Sequence, residues 1–592
     1  MRVLLAVALA VTFVTGATTT PTRGEGLLPF PNDTLTVADP STATGRRLAL
    51  PPDLMPVNAR GVPVDPAQWN TADGFSPGSM ILARVPGLDL GRTGAAPVTD
   101  IGRSLERDAP ITLTDTWTGE RWPYWAELDA NAPADRQALI VRPARNLTEG
   151  HTYAVVLRHL KNAAGEELTP PEPWRFTVAS ARGLAGRALK MRDDALGKLG
   201  SAAPPFTVTA VTDFTPEQDP RIARRVEGTL TVPSYLDQRG GPPGSGLNLG
   251  PDGLPAQLPG NEQVAPFRCE IPRRAFERPV RAALYGHGLL GRQSEVGASN
   301  VKTMAQEHAF AFCATKWIGM ADEDIPTVVD VFSEMSKFHT IPDRGQQGLL
   351  NTMFLGRAMV TGFVRNPAFQ TATGRPLIDA RHGVVYDGNS QGGIMGGALL
   401  ALSKDIRRGV LGVTGMNYSL LFNRSSDAGP FQQVLDAAYP DKLEQQILLA
   451  LMQILWDRGE ANGYAAHMTG DPYPGTPSHQ VLMHVAYGDH QVTTASADVE
   501  ARTIGARLLV PARGVYWGIK PARGPLWPGS AMVVWDSGTP DPPATNTPPT
   551  QGEDPHEDPR RTPAAQLQKS IFLKSGLVVD VCSGSPCKSD PR

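Results

Sequence analysis

The sequence contains few cysteines, has almost no net charge and has no long apolar run beyond its first residues. Four cysteines among 592 residues exclude a small disulfide scaffold but permit two bridges. A formal net charge of −3 offers no basic footprint, so no nucleic-acid partner is predicted. No later stretch reaches about 18 uninterrupted apolar residues, so no transmembrane segment is predicted. These absences indicate a large soluble globular protein of roughly two to four domains.

Metal and cofactor signatures are also missing. No C-x-x-C spacing or His-rich tract accompanies the cysteines, so we predict no metal site and no cofactor. Glycine and proline are frequent, at 60 and 55 residues, but stay below the roughly 25–30% of low-complexity chains. No repeated period indicates a solenoid or a propeller.

The N-terminus has the pattern of a secretory signal peptide. Arg2 precedes an apolar run over 3–14, and small residues follow at 16–17. This run is shorter than the about 20 residues that a membrane span needs, and it matches a signal-peptide core. We therefore predict a signal peptide over 1–17 and a secreted protein, periplasmic or extracellular. A buried N-terminal helix is the alternative.

The four cysteines fit an oxidising compartment. Cys582 and Cys587 bracket the short sequence Ser-Gly-Ser-Pro, and Cys269 and Cys313 each lie beside a strand-like run. We predict these two pairs as disulfides, with four free buried thiols as the alternative.

The predicted β-rich N-terminal region covers 18–180. Within 24–105, short apolar groups alternate with Pro, Gly, Asn and Asp, which is typical of irregular extended structure. Strand-length runs separated by turns follow from about 109 to 180. Residues 141–168 resemble bacterial Ig-like modules, with two strands around P-A-R-N-L-T-E-G-H-T-Y and a turn at Gly165. We expect an Ig-like sandwich over about 109–180.

The remaining chain predicts one large catalytic domain over 205–592, joined through a helix and linker at 181–204. Strand-like apolar runs alternate with helical segments, which indicates an α/β fold with a mostly parallel sheet flanked by helices. The strand-like runs are 280–284, 309–314, 384–386, 410–413, 481–486 and 532–535. The helical candidates are 345–363, 392–403, 442–456, 495–508 and 564–573.

A candidate nucleophile follows one of these strands. Gly-Asn-Ser-Gln-Gly at 388–392 has the pattern G-x-S-x-G, with Ser390 at its centre. The pattern requires a sharp strand-to-helix turn, which small flanking residues permit, and the helix amides behind it favour a developing oxyanion. An ordinary glycine-rich turn is the alternative.

A second glycine-rich motif supplies a candidate oxyanion hole. Gly286, His287 and Gly288 end the strand-like run at 280–284. Such a loop can bend its backbone towards a substrate, so Leu289 is predicted to provide one amide and Gln391 the other. We interpret His287 as a structural hydrogen-bonding residue in support of this loop.

The acid and the base are selected by chain order. A serine needs a histidine to accept its proton and a carboxylate to orient that histidine, in the order Ser, Asp, His for this turn type. Asp489 follows the run 481–486, with Asp536 and Asp471 as rivals. Only His490 and His556 follow Asp489; His490 is its immediate neighbour, so His556 is favoured.

These motifs together resemble the α/β-hydrolase superfamily in its esterase/lipase-like branch, over about 205 to the C-terminus. The motifs that carry the resemblance are G-H-G-L-L-G at 286–291, G-N-S-Q-G at 388–392, Y-G-D-H-Q-V at 487–492 and D-P-H at 554–556. F-P-N-D-T at 30–34 looks, more loosely, like N-terminal regions of secreted bacterial lipase-like proteins. Asn389 departs from the His that many lipases carry before the serine, which argues against a strict lipase.

The functional hypothesis is a secreted serine hydrolase that cleaves carboxylic esters through an acyl-enzyme. The expected partner is a small-molecule or lipid ester, with contact at a lipid surface left open. An apolar helical face within the insertion 415–478 predicts a cap over Ser390, or a helix packed on the sheet. A serine peptidase or amidase on the same fold, and a non-catalytic surface binding protein using the Ig-like module, are the rival hypotheses.

Overall fold

A computed structural model describes residues 22–589 of the protein. The predicted signal peptide at 1–17 lies outside the described residues. One continuous hydrophobic core extends from Leu27 in the N-terminal region to Val534 in the last parallel strands. The N-terminal region and the predicted catalytic domain therefore share a core and pack directly against each other.

The N-terminal region contains a two-stranded ribbon and two three-stranded antiparallel sheets. Its strands are β1 (Thr36–Ala38), β2 (Arg46–Leu48), β3 (Ile81–Ala83), β4 (Ile111–Asp115), β5 (Tyr124–Leu128), β6 (Leu139–Pro143), β7 (Thr152–Leu157) and β8 (Trp174–Thr177). The two sheets have the orders β3-β6-β5 and β4-β7-β8. The short strands expected after residue 109 are present, and the Ig-like character of the module stays a prediction.

The main sheet contains twelve strands within the described residues. They are β9 (Phe206–Asp213), β10 (Ile222–Pro233), β11 (Glu262–Pro272), β12 (Val280–Gly286), β13 (Phe310–Thr315), β14 (Ile378–Asn389), β15 (Ile406–Gly412), β16 (Gln480–Ala486), β17 (Arg507–Leu509), β18 (Pro521–Ala522), β19 (Ala531–Asp536) and β20 (Cys587–Lys588). The order is β18-β17-β19-β16-β15-β14-β12-β13-β11-β10-β9, with β20 beside β19. Strands β9, β10 and β11 pair antiparallel at one end of the sheet. Along the rest of the sheet, in the spatial order β13-β12-β14-β15-β16-β19-β17-β18, neighbouring strands pair parallel. The expected sheet is confirmed as a mixed one with a largely parallel part.

Helices cover both faces of this sheet. The described α-helices are α1 (Leu90–Thr93), α2 (Ala181–Leu199), α3 (Arg274–Glu277), α4 (Ser299–His308), α5 (Ile325–Ser333), α6 (Thr340–Thr361), α7 (Gln391–Leu402), α8 (Tyr418–Leu421), α9 (Gly429–Ala438), α10 (Lys442–Trp456), α11 (Thr494–Ile504), α12 (Asp558–Arg561) and α13 (Pro563–Ser575). Alternate residues of each strand enter different apolar clusters: Leu284 joins the core that contains α6, and Ala283 joins the cluster that contains Phe572 of α13. Burial on both faces explains why these strands read as continuous apolar runs.

The chain order creates a crevice at the carboxyl end of β12. The chain passes from β12 to β13 on one side and returns to β14 on the other side. Neighbouring loops therefore leave this edge in opposite directions, and ligands in open α/β sheets bind at such a point. The loops after β12, β14, β16 and β19 carry the residues that the sequence singled out.

The insertion 415–478 is held in place by the N-terminal region. Helix α10 is buried from Leu443 to Trp456. The indole N–H of Trp69 donates to the carbonyl of Leu451 at 2.7 Å, and Gln446 Nε2 donates to Asp129 Oδ2 at 2.9 Å. The apolar pattern of α10 thus reflects packing on two sides, because the N-terminal region covers the face turned away from the sheet.

Both predicted disulfides are confirmed. Cys269 and Cys313 are bonded across the antiparallel pair β11 and β13. Cys582 and Cys587 close the small C-terminal loop. No free cysteine occurs among residues 22–589.

Candidate active site

Ser390 lies at the apex of a sharp turn between β14 and α7. Its backbone has φ 61° and ψ −127°, a conformation that is strained for any residue with a side chain. Such strain is the property that exposes a nucleophile above the sheet and places the helix amides behind it. The side chain is 6% exposed and borders two cavities.

Two glycines permit this turn because the backbones come very close. A Cβ on Gly392 would lie 2.2 Å from the carbonyl oxygen of Gly286, and a Cβ on Gly286 would lie 2.0 Å from the hydroxyl oxygen of Tyr386. That hydroxyl donates to the carbonyl of Gly392. The start of α7 and the end of β12 therefore leave no space for a side chain at either glycine.

His556 lines the cleft that also contains Ser390, and its ring is hydrogen-bonded to Asp489. Nδ1 of His556 lies 2.8 Å from Oδ2 and 2.9 Å from Oδ1 of Asp489. Oδ1 also accepts the backbone N–H groups of Gln491 and Val492, at 2.8 and 2.9 Å. Both side chains of the pair are buried. Because Asp489 engages Nδ1, Nε2 is the ring nitrogen left to accept a proton.

Asp554 joins the two loops, a role that the sequence reasoning did not anticipate. Its Oδ1 accepts the backbone N–H of His556 at 3.1 Å and that of His490 at 3.2 Å. Its Oδ2 accepts Nε2 of Gln491 at 2.8 Å. The signal for it is the D-P-H motif itself, since an aspartate commonly accepts the N–H two residues later.

The rival acids and base lie in other contacts. Asp536 pairs with Arg513 at 2.5 Å, and the side chain of Asp471 is 90% exposed. His490 is buried with Nε2 unpaired among the described residues. Among those residues, the carboxylate that bonds the ring of His556 is that of Asp489.

Two backbone amides at this site are unused within residues 22–589. The N–H groups of Leu289 and Gln391 donate no hydrogen bond there. Gln391 opens α7, where the first amides of a helix lack intrahelical acceptors. Its side-chain Oε1 accepts the N–H of Leu290 at 3.3 Å and its Nε2 donates to the carbonyl of Met320 at 2.8 Å. The side chain of Gln391 thus links the loop that follows β12, here named the β12 loop, to the turn that carries Ser390.

The β12 loop is fixed by the buried ring of His287 and by the partly exposed carboxylate of Glu295. The ring of His287 bonds through Nδ1 to the carbonyl of Gly288 at 2.9 Å, and its Nε2 accepts the N–H of Trp317 at 2.8 Å. Burial lowers the pKa of His287 to about 4, so the ring is neutral and one nitrogen remains an acceptor. Glu295, which no sequence motif predicted, accepts the N–H of Gly288 at 3.0 Å and the hydroxyl of Tyr285 at 2.8 Å.

The two cavities beside Ser390 differ in character. The first, here named the inner chamber, has a volume of about 70 Å³. Its walls are mostly apolar and come from α5, the start of α6, α7 and the insertion; they include Val328, Val331, Phe332, Ile341, Ile394, Leu421, Phe422 and Trp456. The second, the outer cleft, measures about 550 Å³ and includes Glu295, Asp427, His556, Glu557 and Arg560. The insertion 415–478 therefore forms part of the chamber wall above Ser390.

Buried carboxyl groups lie behind the chamber. Glu460 Oε1 accepts the N–H of Tyr418, which lines the chamber, at 3.1 Å, and Nε2 of Gln453 at 2.7 Å. Burial, reinforced by the nearby Asp457, raises the pKa of Glu460 from 4.5 to about 8. In the folded protein, the buried site therefore favours the protonated, uncharged form of Glu460.

This shift predicts a pH-dependent stability. Because the folded pKa exceeds the unfolded one, the stability that Glu460 contributes is complete below pH 4.5 and is lost as the pH rises towards 8. We expect Glu460→Gln, which keeps the shape without the charge, to unfold at a temperature at least roughly 2 °C higher than wild type at alkaline pH. Thermal unfolding at acidic and alkaline pH measures this. Glu167→Gln, at a side chain that is 72% exposed, is the control, and an equal response in both variants would contradict the assignment.

Within residues 22–589, no group of three or more His, Cys, Asp or Glu side chains is arranged to hold a metal ion. Among the helices of the same residues, none combines the length and apolar character that spanning a membrane requires.

The sequence matches no family model and none of the curated proteins compared with it. Solved structures show distant likenesses. Acetyl xylan esterase 1 from Thermoanaerobacterium sp. has 13% identity over 67% of this chain and 94% of its own, with a TM-score of 0.35. The metagenomic carboxylesterase EstE1 has 13% identity over 67% and 98%, with a TM-score of 0.28. Acylaminoacyl peptidase from Pyrococcus horikoshii has 9% identity over 79% and 69%, with a TM-score of 0.31. With identities and TM-scores this low, these likenesses assign no activity to this chain.

Proposed function

We propose that this protein is a serine hydrolase of the α/β-hydrolase type that cleaves carboxylic esters. The observation that carries the proposal is the strained Ser390 turn opening into the same cleft as His556, whose Nδ1 bonds to buried Asp489. A serine becomes nucleophilic when a histidine accepts its proton and a carboxylate holds that histidine. The arrangement of a nucleophile, an oriented base and unused amides supports acyl transfer more than any binding role.

In the proposed first step, Oγ of Ser390 attacks the ester carbonyl carbon and its proton passes to Nε2 of His556. The carbonyl oxygen becomes an oxyanion, which the amides of Leu289 and Gln391 stabilise. Asp489 stabilises the imidazolium through Nδ1. When the intermediate collapses, the bond to the alcohol oxygen breaks and that oxygen takes the proton from His556, which leaves an ester on Ser390.

The second step repeats the chemistry with water. His556 takes a proton from a water molecule as its oxygen attacks the acyl carbon, and the same amides hold the oxyanion. Collapse returns the proton to Oγ of Ser390 and releases the carboxylic acid. The side chains His287, Glu295 and Gln391 act by holding the β12 loop where its amide can reach the oxyanion.

The proposed setting is an oxidising compartment, periplasmic or extracellular. The two disulfides support it, because such bonds persist where thiols are not kept reduced. The proposed partners are small-molecule or lipid esters.

A direct comparison of substrates tests the reaction class. We expect p-nitrophenyl butyrate to be hydrolysed with a kcat/KM at least about 100-fold above that of the matched p-nitroanilide, since p-nitrophenolate leaves without a proton whereas the anilide nitrogen must take one from His556 as it departs. Initial rates of both substrates with the purified protein measure this. Faster turnover of the anilide would favour a peptidase or amidase, and no turnover of either would favour a binding protein.

A further inference from the structure

Ser390 stands at the junction of the inner chamber and the outer cleft. Six residues border both cavities and define a neck between them: Leu289, Leu290, Ser390, Asp427, Phe431 and Gln491. An ester bound at Ser390 must therefore extend one part into the narrow apolar chamber and the other into the wider, charged cleft. Which part enters which cavity is fixed by the chemistry of the leaving group.

The position of His556 decides the orientation, given the proposed function. During acylation His556 protonates the departing alcohol oxygen, so the alcohol must leave on the side of His556. His556 lines the outer cleft and does not line the inner chamber. The alcohol part therefore lies in the cleft, and the acyl chain lies in the apolar chamber, where its burial is favourable.

The charged groups of the cleft are mostly carboxylates. Arg560, the guanidinium on its wall, is paired with Glu557 at 2.6 Å. Glu295 accepts two hydrogen bonds from the β12 region and is thereby occupied. Asp427 differs from both, because its carboxylate accepts no hydrogen bond within residues 22–589 while it borders the neck. An unpaired, half-buried carboxylate at the neck between the two cavities attracts a donor or a cation and repels an anion.

We infer that the substrate binds with its acyl chain in the inner chamber, and that Asp427 selects an alcohol part bearing a positive charge or hydroxyl donors over an anionic one. The insertion 415–478 thus contributes the residue that determines specificity on the leaving-group side. A carboxylate attracts a cation by its charge and accepts hydrogen bonds from hydroxyl groups, and the substrates below distinguish these two properties.

Four butyrate esters with the same acyl group test the inference. They are choline butyrate, glycerol monobutyrate, the neutral neohexyl butyrate and the anionic butyryl glycolate. All four give the same butyryl-enzyme, so differences in kcat/KM report the alcohol part alone. We expect the choline or the glycerol ester to exceed the neohexyl ester by about tenfold, and the glycolate ester to fall below it by a similar factor. A preference for choline identifies charge as the selected property, and a preference for glycerol identifies hydroxyl donors.

Asp427→Asn tests the residue itself. We expect it to reduce the ratio of the preferred ester to the glycolate ester by about tenfold or more. Asp471→Asn removes the same charge from an exposed side chain of the same insertion and should leave that ratio unchanged. Equal rates for all four esters, or an unchanged ratio in Asp427→Asn, would overturn the inference while leaving ester hydrolysis intact. If the wild-type protein hydrolyses none of the esters, the proposed function fails instead.

Discussion

Replacing Ser390 by alanine is expected to lower kcat for ester hydrolysis by about 10⁴-fold to 10⁶-fold. The loss is this large because the proposed pathway passes through a covalent ester on Oγ, and removing that oxygen leaves only the amides and the binding cavities. Alanine occupies the same backbone conformation at the same cost, so the temperature of unfolding should stay close to that of wild type. Initial rates with p-nitrophenyl butyrate and thermal unfolding measure both quantities.

Ser425 provides a matched control for this variant. Ser425 also borders the inner chamber, but its hydroxyl accepts the N–H of Asp427 and caps the short 3-10 helix Ser426–Ala428 in the insertion. We expect Ser425→Ala to change kcat by less than about tenfold. A Ser390→Ala protein that keeps most of its activity, or a Ser425→Ala protein that loses all of it, would identify the wrong nucleophile.

Replacing Asp489 by asparagine is the second change with a large expected effect. The carboxylate bonds Nδ1 of His556, which leaves Nε2 as the ring nitrogen that takes the serine proton in the proposed mechanism. An amide at this position favours the wrong tautomer, and we expect kcat to fall by about 10⁴-fold. Steady-state rates measure the loss, and an unchanged KM would show that the substrate still binds.

Asp536 and His490 supply the controls, because the sequence makes them the nearest rivals. Asp536→Asn removes a partner of Arg513 and should cost far less activity than Asp489→Asn. His556→Ala should be as damaging as Ser390→Ala, and combining the two should add little, since residues that act as a unit are not additive. Larger losses in Asp536→Asn or His490→Ala would reassign the acid or the base.

The parts of the fold with strong local signals follow from the sequence. Helix α10 has the bounds expected from its apolar pattern, 442–456, and the six strand-like runs after residue 280 all lie in the main sheet. The long antiparallel strands β9 and β11 are less evident, because most residues of β9 are exposed and β11 contains Pro266. Their pairing is a contact between distant segments, which local periodicity does not encode.

The candidate site likewise contains residues that the sequence predicts and residues that it does not. The proposed triad of Ser390, Asp489 and His556 is predicted from motif spacing and chain order, because each residue must follow a strand at one edge of the sheet. Glu295 and Asp427 are not found, since their importance depends on which loops fold back over the serine. A lone carboxylate in a loop carries no signal of its own until the tertiary structure places it beside the cavities.

The proposed nucleophile is tested directly by labelling with a fluorophosphonate probe, which reacts with an activated serine whatever the natural substrate is. We expect one probe per protein molecule, attached to Ser390 as located by mass spectrometry of the digested protein. Labelling should disappear in Ser390→Ala and fall sharply in His556→Ala, while Ser425→Ala remains labelled. Absence of labelling in the folded wild-type protein, or labelling at another serine, would contradict the account.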